Sequence, residues 1–138
     1  MAVLRRLLEV VVDVTARLDE EVERGYDLSK WGDLMKFLHA LQIQVQALID
    51  IVLRASALLG HPPATPLDAA AWLEKSEVID AVDRDFFRRV LGFRNVVVHE
   101  YASVDVRVVG KVLGSREYRK VLSLAEKICR RLFEEGVD

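Results

Sequence analysis

Phe86-Phe87-Arg88-Arg89-Val90-Leu91-Gly92-Phe93-Arg94-Asn95-Val96-Val97-Val98-His99-Glu100-Tyr101 opens as a hydrophobic helix and closes as something else. Phe86, Phe87, Val90, Leu91 and Phe93 form the apolar lead-in. The last eight residues then hold an arginine, an amide, a histidine and a phenol around three consecutive valines. Polar groups set in a hydrophobic helix destabilise it unless each finds a partner. A helix that served only the core would not need them.

The segments on either side also carry helical periodicity. Residues 3 to about 24 repeat apolar side chains at Leu4, Leu7, Leu8, Val11, Val14, Leu18 and Val22, an amphipathic pattern ended by Gly25 as a C′ residue. Asp27 or Ser29 then caps a second helix running to about residue 59. Ile43 and Ile51, added to its regular apolar series, make that helix hydrophobic most of the way round, as a central helix is. Gly60-His61-Pro62-Pro63-Ala64 is a loop, with His61 read as solvated. Thr65-Pro66-Leu67-Asp68 starts a short third helix, with Thr as N-cap and Pro at the first helical position, running to about residue 75.

A turn through residues 76–80 leads to the fourth helix, which carries the polar cluster at its end. Residues 102–104 form a connection, Asp105 is the next N-cap, and a last helical region reaches about residue 135. Gly114-Ser115 can split that region in two. Cys129 falls on its apolar face and reads as core. The only alternating segment, residues 104–108, is short and isolated. The expected fold is one all-α domain spanning residues 1–138, a bundle of about five helices.

The second helix also carries Gln42, Gln46 and Asp50 at intervals of four, a single polar stripe. Either the stripe faces solvent, or it faces the helix of residues 86–101 or a second subunit. Net charge is −2 but uneven. Residues 1–83 hold eight Lys/Arg against fourteen Asp/Glu, whereas residues 84–120 hold nine against four. This basic excess coincides with the polar cluster. It suits an anionic ligand, or simply marks basic solvated faces. A single cysteine excludes an internal disulfide, and no Cys/His spacing fits a zinc site. Glu9 and Asp13 interrupt the N-terminal apolar residues, so neither a signal peptide nor a membrane span is expected. A cytoplasmic protein is.

On an α-helix, Arg94 and His99 lie roughly 140° apart, while Arg94 and Tyr101 differ by only about 20°. Asn95 and His99, four apart, share a side. Two partial groups result. They meet if the helix loosens near His99, or if a second copy packs against it so that both chains build one cleft. In the second case residues 96–98 can supply a dry dimer seam. The set lacks a serine or cysteine nucleophile paired with a base, and lacks the clustered carboxylates of a two-metal nuclease. It offers a histidine that moves protons near neutral pH and an arginine that grips phosphate. RNA brings its own nucleophile, the 2′-hydroxyl, so the pair is sufficient for metal-free RNA cleavage. A histidine at a helix end can equally be a plain C-cap.

Arg94, four residues, His99, one residue, Tyr101 resembles the signature of the HEPN ribonucleases. Gly92-Phe93-Arg94-Asn95 and His99-Glu100-Tyr101 are similar to the HepT-type toxins, as are Leu41-Gln42-Ile43-Gln44, Asp50-Ile51 and the Pro-rich loop. The resemblance implies an all-α HEPN fold and an RNA-cleaving site at a homodimer interface. Arg94 and His99 would be its catalytic pair, supported by Asn95. It further implies a nucleotidyltransferase antitoxin that silences the toxin by transferring AMP to Tyr101, and Asp50 as a buried acid orienting a site residue. No cofactor or metal is implied. The other expectation is a non-catalytic helical module that holds a nucleotidyltransferase or nucleotide, with Arg94 and His99 in a polar dimer contact.

Overall fold

A helix apolar round most of its circumference must be covered on most sides, and α2 (Trp31–Leu58) packs against α1 (Ala2–Arg24), α3 (Pro66–Lys75), α4 (Ala81–His99) and α6 (Arg119–Glu134). α5 (Val106–Gly114) completes the six helices seen among the described residues. The structure is a computed structural model that describes the backbone of residues 2–99 and 104–136, and the side chains of residues 3–95 and 104–136. α2 has the length and apolar character of a bilayer span, yet 56% of that stretch is buried inside the protein. It is the core helix.

One half of the core gathers Leu48, Ile51 and Val52 of α2 with Leu73, Phe87, Leu124, Ile128 and Leu132. The other joins Phe37, Leu38 and Leu41 to Leu18, Val109, Leu113 and Tyr118. Cys129 is fully buried, as its place in the apolar series requires. Gln44 is buried beside these clusters and donates through Nε2 to Thr15 Oγ1 (2.9 Å) and to the Tyr118 carbonyl (3.0 Å). It thereby ties α1 and the start of α6 to α2.

The start of α2 departs from expectation. α2 is capped by Lys30, which makes no side-chain cap bond. Asp27 is instead the acceptor of a local turn, taking the Ser29 N–H (2.9 Å) and hydroxyl (2.6 Å). The last helical region divides at Gly114-Ser115 as expected, α5 ending at Gly114 with Ser115 as its C-cap and Arg116 (φ 56°) as the left-handed residue of the turn. Glu117 N–H reaches back to the Val112 carbonyl (3.1 Å) and Arg116 N–H to that of Leu113 (3.2 Å), which closes α5. His61 is only partly solvated, with two partners the loop reading did not foresee. Its ring stacks on Trp72 (4.6 Å between centroids), and Nε2 lies 3.0 Å from the Asp68 carboxylate.

Tyr118 also fastens α6 to α1, because its hydroxyl donates to the Asp19 carboxylate, which Arg119 Nε meets at 2.9 Å. Burial, followed by that bond and the Asp19 charge, pushes the phenol up to about 12. Burial would raise the Asp19 carboxyl, but the bonds from Arg119 and Tyr118 and the charges of Arg119 and Arg116 outweigh it and hold Asp19 below its usual range. A phenol that keeps its proton longer when folded stabilises the native state fully below pH 10. That contribution, on the order of 2–3 kcal/mol for two units, is lost as pH rises from 10 to 12. Urea melts across pH 9–12 should show this decline, and Tyr118→Phe should remove it. An unchanged slope in the variant would contradict the assignment.

Candidate functional site

α4 begins with reciprocal caps: Asp83 N–H donates to Asp80 Oδ1 (2.8 Å) and Asp80 N–H to Asp83 Oδ2 (3.1 Å). Phe87 and Val90 anchor its inner face in the core. Arg94 follows at the next helical interval of that face, so it is carried inward toward α2. It is half-buried, and its Nη1 donates to Gln46 Oε1 at 3.4 Å. Gln46 Nε2 in turn donates to Asp50 Oδ1 at 3.0 Å. Arg94 Nε is buried and has no hydrogen-bond partner among the described residues.

The polar stripe of α2 therefore faces the motif helix through Gln46 and Asp50. Asp50 is half-buried, where the resemblance implied a buried acid, and it reaches Arg94 only through the Gln46 amide. Gln46 was not singled out from the sequence beyond its place in the stripe. That interval of four was the signal that could have found it.

Asn95 is exposed, one position further round α4. The backbone stays helical through His99, so position 99 sits roughly 140° around the axis from Arg94. No loosening of the helix before His99 brings the two together. The side chains of residues 96–99, and the whole of Glu100 and Tyr101, lie outside the described residues. The expected dimer seam at 96–98 and the modification site at Tyr101 fall there.

The basic excess of residues 84–120 is mostly met by carboxylates. Arg84 pairs with Glu74 (2.8 Å), Arg89 with Glu117 (3.1 Å), and Arg116 and Arg119 with Asp19 (3.6 and 2.9 Å). Arg107 pairs with its own N-cap, Asp105 (3.2 Å). Such half-exposed pairs contribute little stability, but they cancel much of the field that the sequence suggested. Arg94 differs from these five in meeting an amide. A cavity of about 470 Å³ opens between α4 and α5, lined by Phe86, Val90, Phe93, Val108 and Val112 among others. Its walls are largely apolar and include neither Arg94 nor Asn95, so the Arg94–Gln46–Asp50 group at the α2–α4 seam lies outside it.

Two solved structures share this arrangement of helices. One is a crystal structure of a toxin–antitoxin with AMP-PNP, at TM-score 0.75 and 16% identity, covering 91% of this chain and 98% of that one. The other is a tri-AMPylated Shewanella oneidensis HEPN toxin in complex with an MNT antitoxin, at TM-score 0.75, 18% identity and the same coverage. At these identities the likeness shows the fold. No curated protein matches the sequence. The family description "Ribonuclease HepT-like" matches residues 7–128, which takes in α2, α4 and the whole Arg94–Tyr101 cluster, and the chain therefore belongs to the HepT-like ribonuclease family.

Proposed function

We propose that the protein is a metal-independent RNA endonuclease, the toxin of a toxin–antitoxin pair, acting in the cytoplasm with Arg94 and His99 as its catalytic residues. The observation that carries this reading is the complete Arg94–Asn95–His99–Tyr101 set within the family match, with the Arg94 guanidinium held at the α2–α4 seam by a neutral partner. His99 takes the 2′-hydroxyl proton, and the 2′-oxygen attacks the adjacent phosphorus. The P–O5′ bond breaks, and the leaving 5′-oxygen is protonated. The products are a 2′,3′-cyclic phosphate and a 5′-hydroxyl end. Arg94 stabilises the charge that builds on the phosphoryl oxygens. Asn95 supports the pair from the exposed side.

The separation of positions 94 and 99 around a regular helix supports a cleft built by two copies, because one helix does not present both groups to one phosphate. Tyr101 is the site at which a nucleotidyltransferase antitoxin attaches AMP. An anionic adduct there would occupy Arg94, as the spacing of seven would allow on a helix, and would exclude RNA. AMPylation and an MNT antitoxin are features of the Shewanella oneidensis toxin, which supports the pairing here.

The test is purified, unmodified protein incubated with end-labelled RNA in EDTA. Cyclic-phosphate ends are expected, and a DNA of the same sequence should survive. Prior treatment with the nucleotidyltransferase partner and ATP should stop cleavage by the wild type but not by Tyr101→Phe. Activity that EDTA removes and a metal restores would refute the mechanism. A Tyr101→Phe protein still modified and silenced would refute the modification site.

A further inference from the structure

Arg94 is held by an amide whose orientation is itself held. The Gln46 Oε1 accepts from Arg94 Nη1 at 3.4 Å, and its Nε2 donates to Asp50 Oδ1 at 3.0 Å. A glutamine amide can present either end, and a flipped amide would set N–H donors against the guanidinium, which only donates. Asp50 Oδ1, by accepting from Nε2, disfavours the flipped form. The geometry points to Gln46 as the positioning residue of Arg94, with Asp50 selecting the end of the amide that Arg94 meets. This inference rests on the nuclease reading above.

The device has a chemical consequence. A carboxylate directly on Arg94 would position it equally well but would neutralise it, as Asp19 and Glu74 do for the arginines they meet. An amide spacer orients the guanidinium while leaving its charge for a phosphate. The carboxylate is still used, one residue removed, where it sets the amide rather than the charge. The spacing of four on α2 places the two groups in line, and the Phe87–Val90–Arg94 face of α4 brings the guanidinium to them.

Gln46→Glu tests this because it changes charge and little else. Above its pKa the introduced carboxylate would pair with Arg94 and repel Asp50, and cleavage should fall about 10–100-fold, mainly through a raised KM for RNA. As pH falls, the introduced group takes a proton. It can then donate its O–H to Asp50 and accept from Arg94 through its carbonyl oxygen, as the amide does. The ratio of variant to wild-type rate should therefore rise toward one as pH falls through the pKa of the introduced carboxyl, which the Arg94 charge lowers and the Asp50 charge raises. Full activity at pH 7 would overturn the proposal.

A second measurement does not depend on cleavage. The guanidinium ¹⁵N signals of Arg94, identified by their loss in Arg94→Lys, should be resolved in the wild type and averaged in Gln46→Leu. Signals unchanged in Gln46→Leu would also overturn the proposal. Wild-type protein that does not cut RNA would remove the nuclease reading alone, and the spectra would still decide whether Gln46 holds Arg94.

Discussion

His99→Ala should reduce RNA cleavage by about 10²–10⁴-fold, the usual contribution of one positioned general acid–base group. His39 is exposed on α2 about two turns before Gln46, and His61 is stacked on Trp72 and bonded to Asp68, so neither contacts Arg94. The change falls at the end of α4, beyond the anchors Phe87 and Val90, so folding should be retained. Arg94→Ala should produce a loss of similar size by removing the charge opposite the phosphoryl oxygens, with Arg94→Lys intermediate because an ammonium keeps the charge without the planar fork. Initial rates on end-labelled RNA, with circular dichroism on each variant, provide the measurement. A His99→Ala protein within a few-fold of the wild type would refute the assignment of His99, whereas no cleavage by the wild type would favour the non-catalytic binding module.

Mixing the two inactive variants should restore activity if each cleft takes groups from both chains. An Arg94→Ala chain still carries His99, and a His99→Ala chain still carries Arg94. Under random pairing about half the dimers are mixed, and one of the two arginine–histidine combinations in each is intact, so about one quarter of the wild-type rate is expected. That is at least about 25-fold above either parent if each is reduced 10²-fold. Co-expression from two differently tagged genes, followed by sequential purification of the mixed species, isolates the mixed dimer, for which about one half of the wild-type rate is expected. A mixed dimer no more active than its parents would place both groups on one chain, or remove one of them from the site.

Much of the architecture was legible from local pattern. The intervals of three and four identify α1 and α2, and the all-round apolar surface of α2 announces a helix that others must cover. Thr65-Pro66 opens α3 because a hydroxyl cap and a fixed φ need no tertiary help: Asp68 N–H does donate to Thr65 Oγ1 at 3.0 Å. Asp105 likewise accepts from the Arg107 N–H at 2.9 Å. The ends of α3 at Lys75 and of α5 at Gly114 also fall where the sequence placed them, although the left-handed residues that follow are Glu77 and Arg116, where glycine is the usual signal.

The candidate site divides along the same line. The Arg94–Tyr101 cluster is contiguous in sequence, and its family and chemistry can be read from residue types and spacing. Its support is not contiguous. Gln46 lies forty-eight residues from Arg94 in the chain, and a polar stripe on α2 fits solvent as well as it fits a neighbour until the helices are packed. The same holds for the arginines of α4 and beyond, whose clustering in sequence suggested a basic surface until Glu74, Glu117 and Asp19 were found against them. Sequence alone determined the helices, the central place of α2 and which groups are candidates for the chemistry, because periodicity, caps and side-chain chemistry act over a few residues. Tertiary structure decided which charges are neutralised and that Arg94 rests on an amide, because those outcomes depend on which helix faces are brought within hydrogen-bonding distance, and no local pattern encodes that.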